Sequence, residues 1–216
     1  MPKIEKMGSD VWFDMKAGDE LRLRLGPVLS WIGSKETLTV SPEKAIGAGI
    51  KNGALGLPLI ESRIQCNAPT RLLTKIGTKV EIWKVELDDT PVYFKGAFYL
   101  GHQGDVTLNT RNPGGMNFIF MIEPKGVGTI YLALPKTTMK LPMDAKMICM
   151  PYDRIAIITG DPSFRTETIK SDLKNIRKKG FWARTTSCEI TNHEELYIYG
   201  GTVKGLFSGS SDDDED

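Results

Sequence analysis

The chain has 216 residues, 40% hydrophobic and 25% charged, with a formal net charge of +1. These are the proportions of an ordinary soluble globular protein of one sizeable domain, and no apolar run reaches the length needed to span a bilayer. Cys66, Cys149 and Cys188 are odd in number, widely spaced and never in a CxxC pair, which argues against a disulfide framework and a structural zinc site and predicts buried thiols.

The N-terminal MPKIEKMGSDVWFD has neither the apolar core of a secretory signal nor the composition of an organellar presequence, so a cytoplasmic location is expected. Residues 21–25 (LRLRL) then alternate apolar and basic positions, the period of a strand with one face in the core and Arg22 and Arg24 in solvent. Residues 28–32, 62–67, 80–87 and 117–123 continue the strand grammar. Turns are predicted at Gly77, Asp88-Asp89, Asn112-Pro113-Gly114-Gly115 and Pro124-Lys125-Gly126. The stretches 93–108 (YFKGAFYLGHQGDVTL), 126–134 (GVGTIYLAL) and 147–159 (MICMPYDRIAIIT) repeat one pattern: a turn, a few alternating residues, another turn. Strands at such intervals predict an all-β fold, an antiparallel sandwich or barrel of short strands, forming a single domain over residues 1–207.

Two segments depart from that grammar. Residues 45–57 (AIGAGIKNGALGL) carry Gly47, Gly49, Gly53 and Gly56 but no following Gly-Lys-Ser/Thr, so they read as a hairpin connection and not as a phosphate cradle. Residues 168–180 (TIKSDLKNIRKKG) place Ile169, Leu173 and Ile176 at helical spacing before Gly180, predicting one short C-terminal helix. Lys170, Lys174, Arg177, Lys178 and Lys179 give that helix a basic face or end, which complements its dipole or meets an anion. Residues 208–216 (SGSSDDDED) form an acidic tail expected to be disordered; without its five acids, 28 basic residues stand against 22 acidic ones, a body of +6.

Catalytic constellations are scarce. The chain has two histidines. His102, with Asp105 nearby in LGHQGD, reads as part of a turn, and His193, beside Glu194 and Glu195, as an exposed one. No G-x-S-x-G elbow is present and no cysteine carries an activating signature. The expectation is therefore a non-enzyme without catalytic residues, metal or cofactor. The aromatic residues Trp12, Phe13, Trp31, Trp83, Tyr93, Phe94, Phe98, Tyr99, Phe118 and Phe120 fall in or beside predicted strands, as core or sheet-face packing. Met139, Met143, Met147 and Met150 cluster in the same way, as core filling.

In order and spacing, the glycine-rich segment, LIESRIQCNAPTRLL, KVEIWKVEL, FKGAFYLGHQGDVTL, GVGTIYLAL, LPMDAKMICMPYDRIAII and NIRKKGFWARTTSCEI resemble the family of altered inheritance of mitochondria protein 24. Its domain looks like that of the tryptophan RNA-binding attenuation protein. The resemblance runs from about Val11 to Tyr199. It departs where the family's closing Gly-Pro-Gly is replaced by Ser187-Cys188-Glu189-Ile190, and where the glycine-rich stretch lacks a Gly-Arg pattern. It implies a β-sandwich of repeated antiparallel units, often assembled with copies of itself, with no catalytic residue to carry over; the mitochondrial compartment of one eukaryotic branch is not expected to transfer, since MPKIEKMGSDVWFD does not read as a presequence.

Two functions follow as expectations. One is a scaffold or interaction protein that self-associates as a homo-oligomer and recruits a protein partner through its basic helix or acidic tail. The alternative is a module binding RNA or another polyanion through Arg22, Arg24, Lys174, Arg177, Lys178 and Lys179, modulated by the tail.

Overall fold

A computed structural model describes residues 3–24, 28–44, 57–58, 60–111, 121–142, 148–151, 154–168 and 186–200. The segment 169–185 with most of the expected helix, the glycine-rich 45–56, the turn at 112–115 and the tail 208–216 lie outside the described residues. In chain order the strands are β1 (Lys3–Met7), β2 (Asp10–Met15), β3 (Glu20–Arg24), β4 (Val28–Trp31), β5 (Leu38–Lys44), β6 (Ile60–Cys66), β7 (Thr70–Lys75) and β8 (Val80–Glu86). There follow β9 (Val92–Phe94), β10 (Tyr99–Arg111), β11 (Met121–Pro135), β12 (Met139–Lys140), β13 (Ile148–Pro151), β14 (Ile155–Thr168) and β15 (Thr186–Ile198). Two single-turn 3-10 helices, Lys35–Thr37 and Gly96–Phe98, complete the set.

The fold is all-β and antiparallel, in two sheets. Four strands pair in the order β1-β2-β7-β4, and a larger sheet runs β12-β15-β14-β9-β11-β10-β3-β6-β5, with β13 on β15 and β8 on β11. Among the described residues neither sheet closes on itself, which is the open, two-sheet alternative and not the closed barrel. Period-two patterning explains which face meets the core: Val11, Phe13 and Met15 of β2, Leu21 and Leu23 of β3, and Leu72 of β7 are buried while their neighbours are not. Phe13 meets Tyr131 of β11 edge to face, ring centroids 5.6 Å apart, and ties the small sheet to the large one. Each such buried side chain contributes about 1.5–3 kcal/mol of transfer free energy. A second cluster gathers Tyr93, Met121, Ile155, Ile158, Ile190 and Leu196.

Two features of the ladders matter below. Among the described residues, the one ladder that joins β1–β7 to β8–β15 is that of β3 with β10, two pairs long: Gly101 with Leu23 and His102 with Arg22. A Cβ at Gly101 would lie 2.2 Å from the Arg22 carbonyl oxygen, so the strands approach this closely because residue 101 has no side chain. The β10–β11 ribbon, in contrast, pairs from Tyr99 with Leu132 out to Arg111 with Met121.

That ribbon corrects one sequence expectation. Pro124-Lys125-Gly126 is not a turn but lies inside the 15-residue strand β11, opposite Leu108, Thr107 and Val106. Gly126 has φ +118, and a Cβ there would meet the Asp105 carbonyl oxygen at 2.0 Å, so the glycine serves a local distortion of a continuous strand instead of a chain reversal.

Candidate functional site

Three buried polar side chains converge where β10, β3 and β6 run side by side. Glu61 (β6) and His102 (β10) are 2% exposed and Tyr99 (β10) is fully buried. The register of β10 shifts between Tyr99 and Gly101, which puts Tyr99 and His102 on one face although they are three residues apart. The Tyr99 hydroxyl donates to Glu61 Oε1 at 2.6 Å, and His102 Nδ1 lies 2.5 Å from the same hydroxyl. Tyr99 has one proton to give, so the arrangement is satisfied when neutral His102 donates from Nδ1 to the phenol oxygen. Burial first, and the Arg22 charge second, lower the His102 pKa to about 4, which keeps the ring neutral near pH 7. Burial also raises the Glu61 carboxyl above its usual range, against the opposing pull of Tyr99 and Arg22. Three groups in a row make a short proton path, sealed from solvent at each member.

The expectation for His102 is thereby corrected. It belongs to strand β10, paired with Ile130 and Arg22, while Asp105 is exposed further along the strand and no turn joins the two. His193 is likewise no exposed turn residue: it sits in β15 opposite Gly160 of β14, at a register shift next to Asn192 (φ 58), and both ring nitrogens are shielded from water. Among the described residues no three His, Cys, Asp or Glu side chains gather as a metal ion requires, and no helix is long and apolar enough to cross a membrane.

Above the buried row lies a patch of alternating charge. Arg63 of β6 donates from Nη2 to Glu20 at 2.7 Å and from Nη1 to Glu43 at 3.1 Å, while Arg22 reaches Glu20 at 3.5 Å and Glu43 at 3.6 Å. The hydrogen bond from Arg63 holds the Glu20 carboxyl below its usual range. Arg22 is therefore not part of a basic face in solvent: its side chain is 19% exposed and two carboxylates from β3 and β5 neutralise it. Arg24 is half-buried, and burial lowers its guanidinium pKa. Lys174, Arg177, Lys178 and Lys179 lie outside the described residues, so the six expected anion-contacting residues are not seen brought together.

A concave surface lies elsewhere, between the two sheets. A groove of about 620 Å³ runs between β1, the edge of the small sheet, and β8, which borders the large one; it is lined by Ile4, Lys6, Gly8, Glu81, Ile82, Lys84 and Lys136. Lys6 alternates with exposed neighbours and points to the same side as Ile4, toward the core-facing side of β1. Its pKa is lowered by burial and then by the facing charge of Lys136, with Glu81 opposing. The sequence signal for the groove is weak, because its three lysines lie in three separate segments.

An open, two-sheet antiparallel β-fold with a buried polar row and a basic groove is thus the class this protein defines. No protein-family model matches the chain, and no curated protein does. Among solved structures it is similar to a crystal structure of a protein from Streptococcus pyogenes, at 16% identity and a TM-score of 0.68, over 94% of each chain. That likeness extends over almost the whole fold and speaks to the fold alone.

Proposed function

We propose that this protein is a non-enzymatic scaffold that assembles with copies of itself through the β5 edge of its large sheet. The observation that carries the reading is an edge with an apolar rim: among the described residues β5 ends the strand order, and Val40 on β5 and Ile60 on the adjoining β6 are 41% and 42% exposed. Both lie on the face that buries Leu38 and Ile64 further in, so the core surface continues outward to the edge. A second copy set against β5 would extend the hydrogen-bond ladder and cover that rim. Pro42 removes one donor from the edge, which limits pairing to part of the strand and favours a closed assembly over an open fibre. The family resemblance of the sequence supports the same reading through its tendency to self-assembly. The sealing of Glu61, Tyr99 and His102 from solvent supports a structural role for this row. Polyanion binding through a basic face draws less support, because Arg22 is already engaged by Glu20 and Glu43.

Light scattering behind size exclusion tests this. The full chain is expected as a discrete oligomer that persists from low to high salt, and Val40→Lys with Ile60→Lys is expected to give a folded monomer at the same concentration. A wild-type monomer would sink self-association, and an unchanged oligomer in the double variant would remove the β5 edge from it.

A further inference from the structure

We infer that the groove between β1 and β8 is the intramolecular docking site of this chain's own acidic run, Asp212–Asp216. The groove has the chemistry of a receptor for extended carboxylate-bearing chain. Lys6, Lys84 and Lys136 border it, with Glu81 the single acidic lining residue and Ile4 and Ile82 the apolar ones. Lys6 donates to the Gly8 carbonyl at 2.6 Å and Lys84 to Glu86 at 2.8 Å, and since an ammonium carries three N–H donors each keeps donors for a further carboxylate. The charge of Lys136, after burial, disfavours the charged form of Lys6, a repulsion that an anion between them relieves.

Geometry favours an extended segment over a compact anion. Both walls are strands: β1 ends the small sheet, and among the described residues β8 pairs with β11 alone. Among the described residues each therefore has a side that pairs with no strand and can bond an added one. Position favours this chain's own segment. Gly200, the last described residue, accepts a hydrogen bond from Thr137 Oγ1 at 2.8 Å, and Thr137 follows Lys136 of the groove. The 12 residues from Gly200 to Asp212 span up to about 40 Å when extended, so the five acids can reach all three lysines from that anchor. Tethering raises their effective concentration to about millimolar, which compensates for the modest strength of exposed ion pairs. The docked run would also withhold the groove from anions in solution, making the tail a competitor of any polyanion and not an idle terminus.

Zero-length carbodiimide crosslinking of the full chain, mapped by mass spectrometry, tests the assignment. Amide links from residues 212–216 to Lys6, Lys84 or Lys136 are expected at low salt and are expected to fall at least tenfold in 0.5 M salt. Links confined to Lys174, Lys178 or Lys179, or no links from the run, would overturn it. Mixing isotopically labelled and unlabelled chains separates links within a chain from links between copies; links between copies alone would overturn docking in cis. A second measurement uses a labelled peptide of residues 208–216 added to a full chain carrying Asp212→Asn, Asp213→Asn, Asp214→Asn, Glu215→Gln and Asp216→Asn. The peptide is expected to bind this variant at least tenfold more tightly than wild type, and to lose that gain when Lys6→Gln and Lys136→Gln are added. Equal affinity for wild type and the neutralised chain would also overturn it. Neither readout depends on the oligomeric state of the β5 edge, so the two proposals fail separately.

Discussion

Replacing Gly101 by Ala is expected to destabilise the protein by about 3 kcal/mol or more, the upper range for forcing a methyl group into a filled site. The new Cβ would sit 2.2 Å from the Arg22 carbonyl oxygen and 2.7 Å from Leu23 Cδ2. The nearer obstacle is backbone, which cannot rotate aside as a side chain would, so β3 and β10 must move apart. They are held together by two register pairs, and the one neighbouring polar anchor, His102, shares the disturbed ladder. Gly200→Ala is the control, since its nearest neighbour would be at an ordinary 3.7 Å. Equilibrium denaturation of both variants measures the difference; equal stabilities would show that the approach at Gly101 relaxes without cost.

Acid is expected to remove about 3 kcal/mol of stability through His102 alone. Its pKa is near 4 in the fold against 6.5 for the free side chain, so the unfolded chain takes up the proton first. Stability from this group is complete above pH 6.5 and is lost as the pH falls toward 4. Glu61 works in the opposite sense: with its carboxyl raised in the fold, its contribution is greatest in acid and fades as the pH rises through its folded value. The groups facing the ring are Tyr99, whose hydroxyl it bonds, and Arg22 and Glu20 of β3, whose charges act in opposite directions. Because Glu61 offsets part of the loss, the informative quantity is the difference between chains. His102→Gln should reduce the stability change between pH 7 and pH 4 by about 3 kcal/mol relative to wild type, by the same linkage. Identical pH profiles for the two chains would rule His102 out as the titrating group.

The strands with clean alternation were readable from local sequence. Residues 21–24 of LRLRL read as a strand and lie in β3 with alternating burial, because a half-buried strand must repeat every two residues. Sequence punctuation failed where glycine and proline serve a long strand: Pro124-Lys125-Gly126 has turn residues, yet Gly126 permits distortion of β11 against β10 without reversing the chain. The charge of Arg22 was legible and its partner Glu43 was not, since Glu43 comes from β5, a strand that only the fold sets near β3. The Glu61, Tyr99 and His102 row was hidden for the same reason, and also because a register shift, invisible to period-two counting, puts residues 99 and 102 on one side. The lysine groove needed both sheets to be in place. What sequence conveyed was the periodicity of single strands; what it withheld was everything assembled across them.

The two-pair ladder of β3 with β10 also orders events in folding. It unites Arg22 with His102 across 80 residues of chain, whereas β10–β11 starts from a link between Arg111 and Met121. Closing the longer loop has the larger entropic cost, and two pairs return little until the sheets around them exist. The ribbons are therefore expected to zip first, with the junction between the halves forming after the rate-limiting barrier. Gly101→Ala should accordingly speed unfolding and leave the folding rate nearly unchanged, and stopped-flow arms that shifted the other way would place the junction in the nucleus.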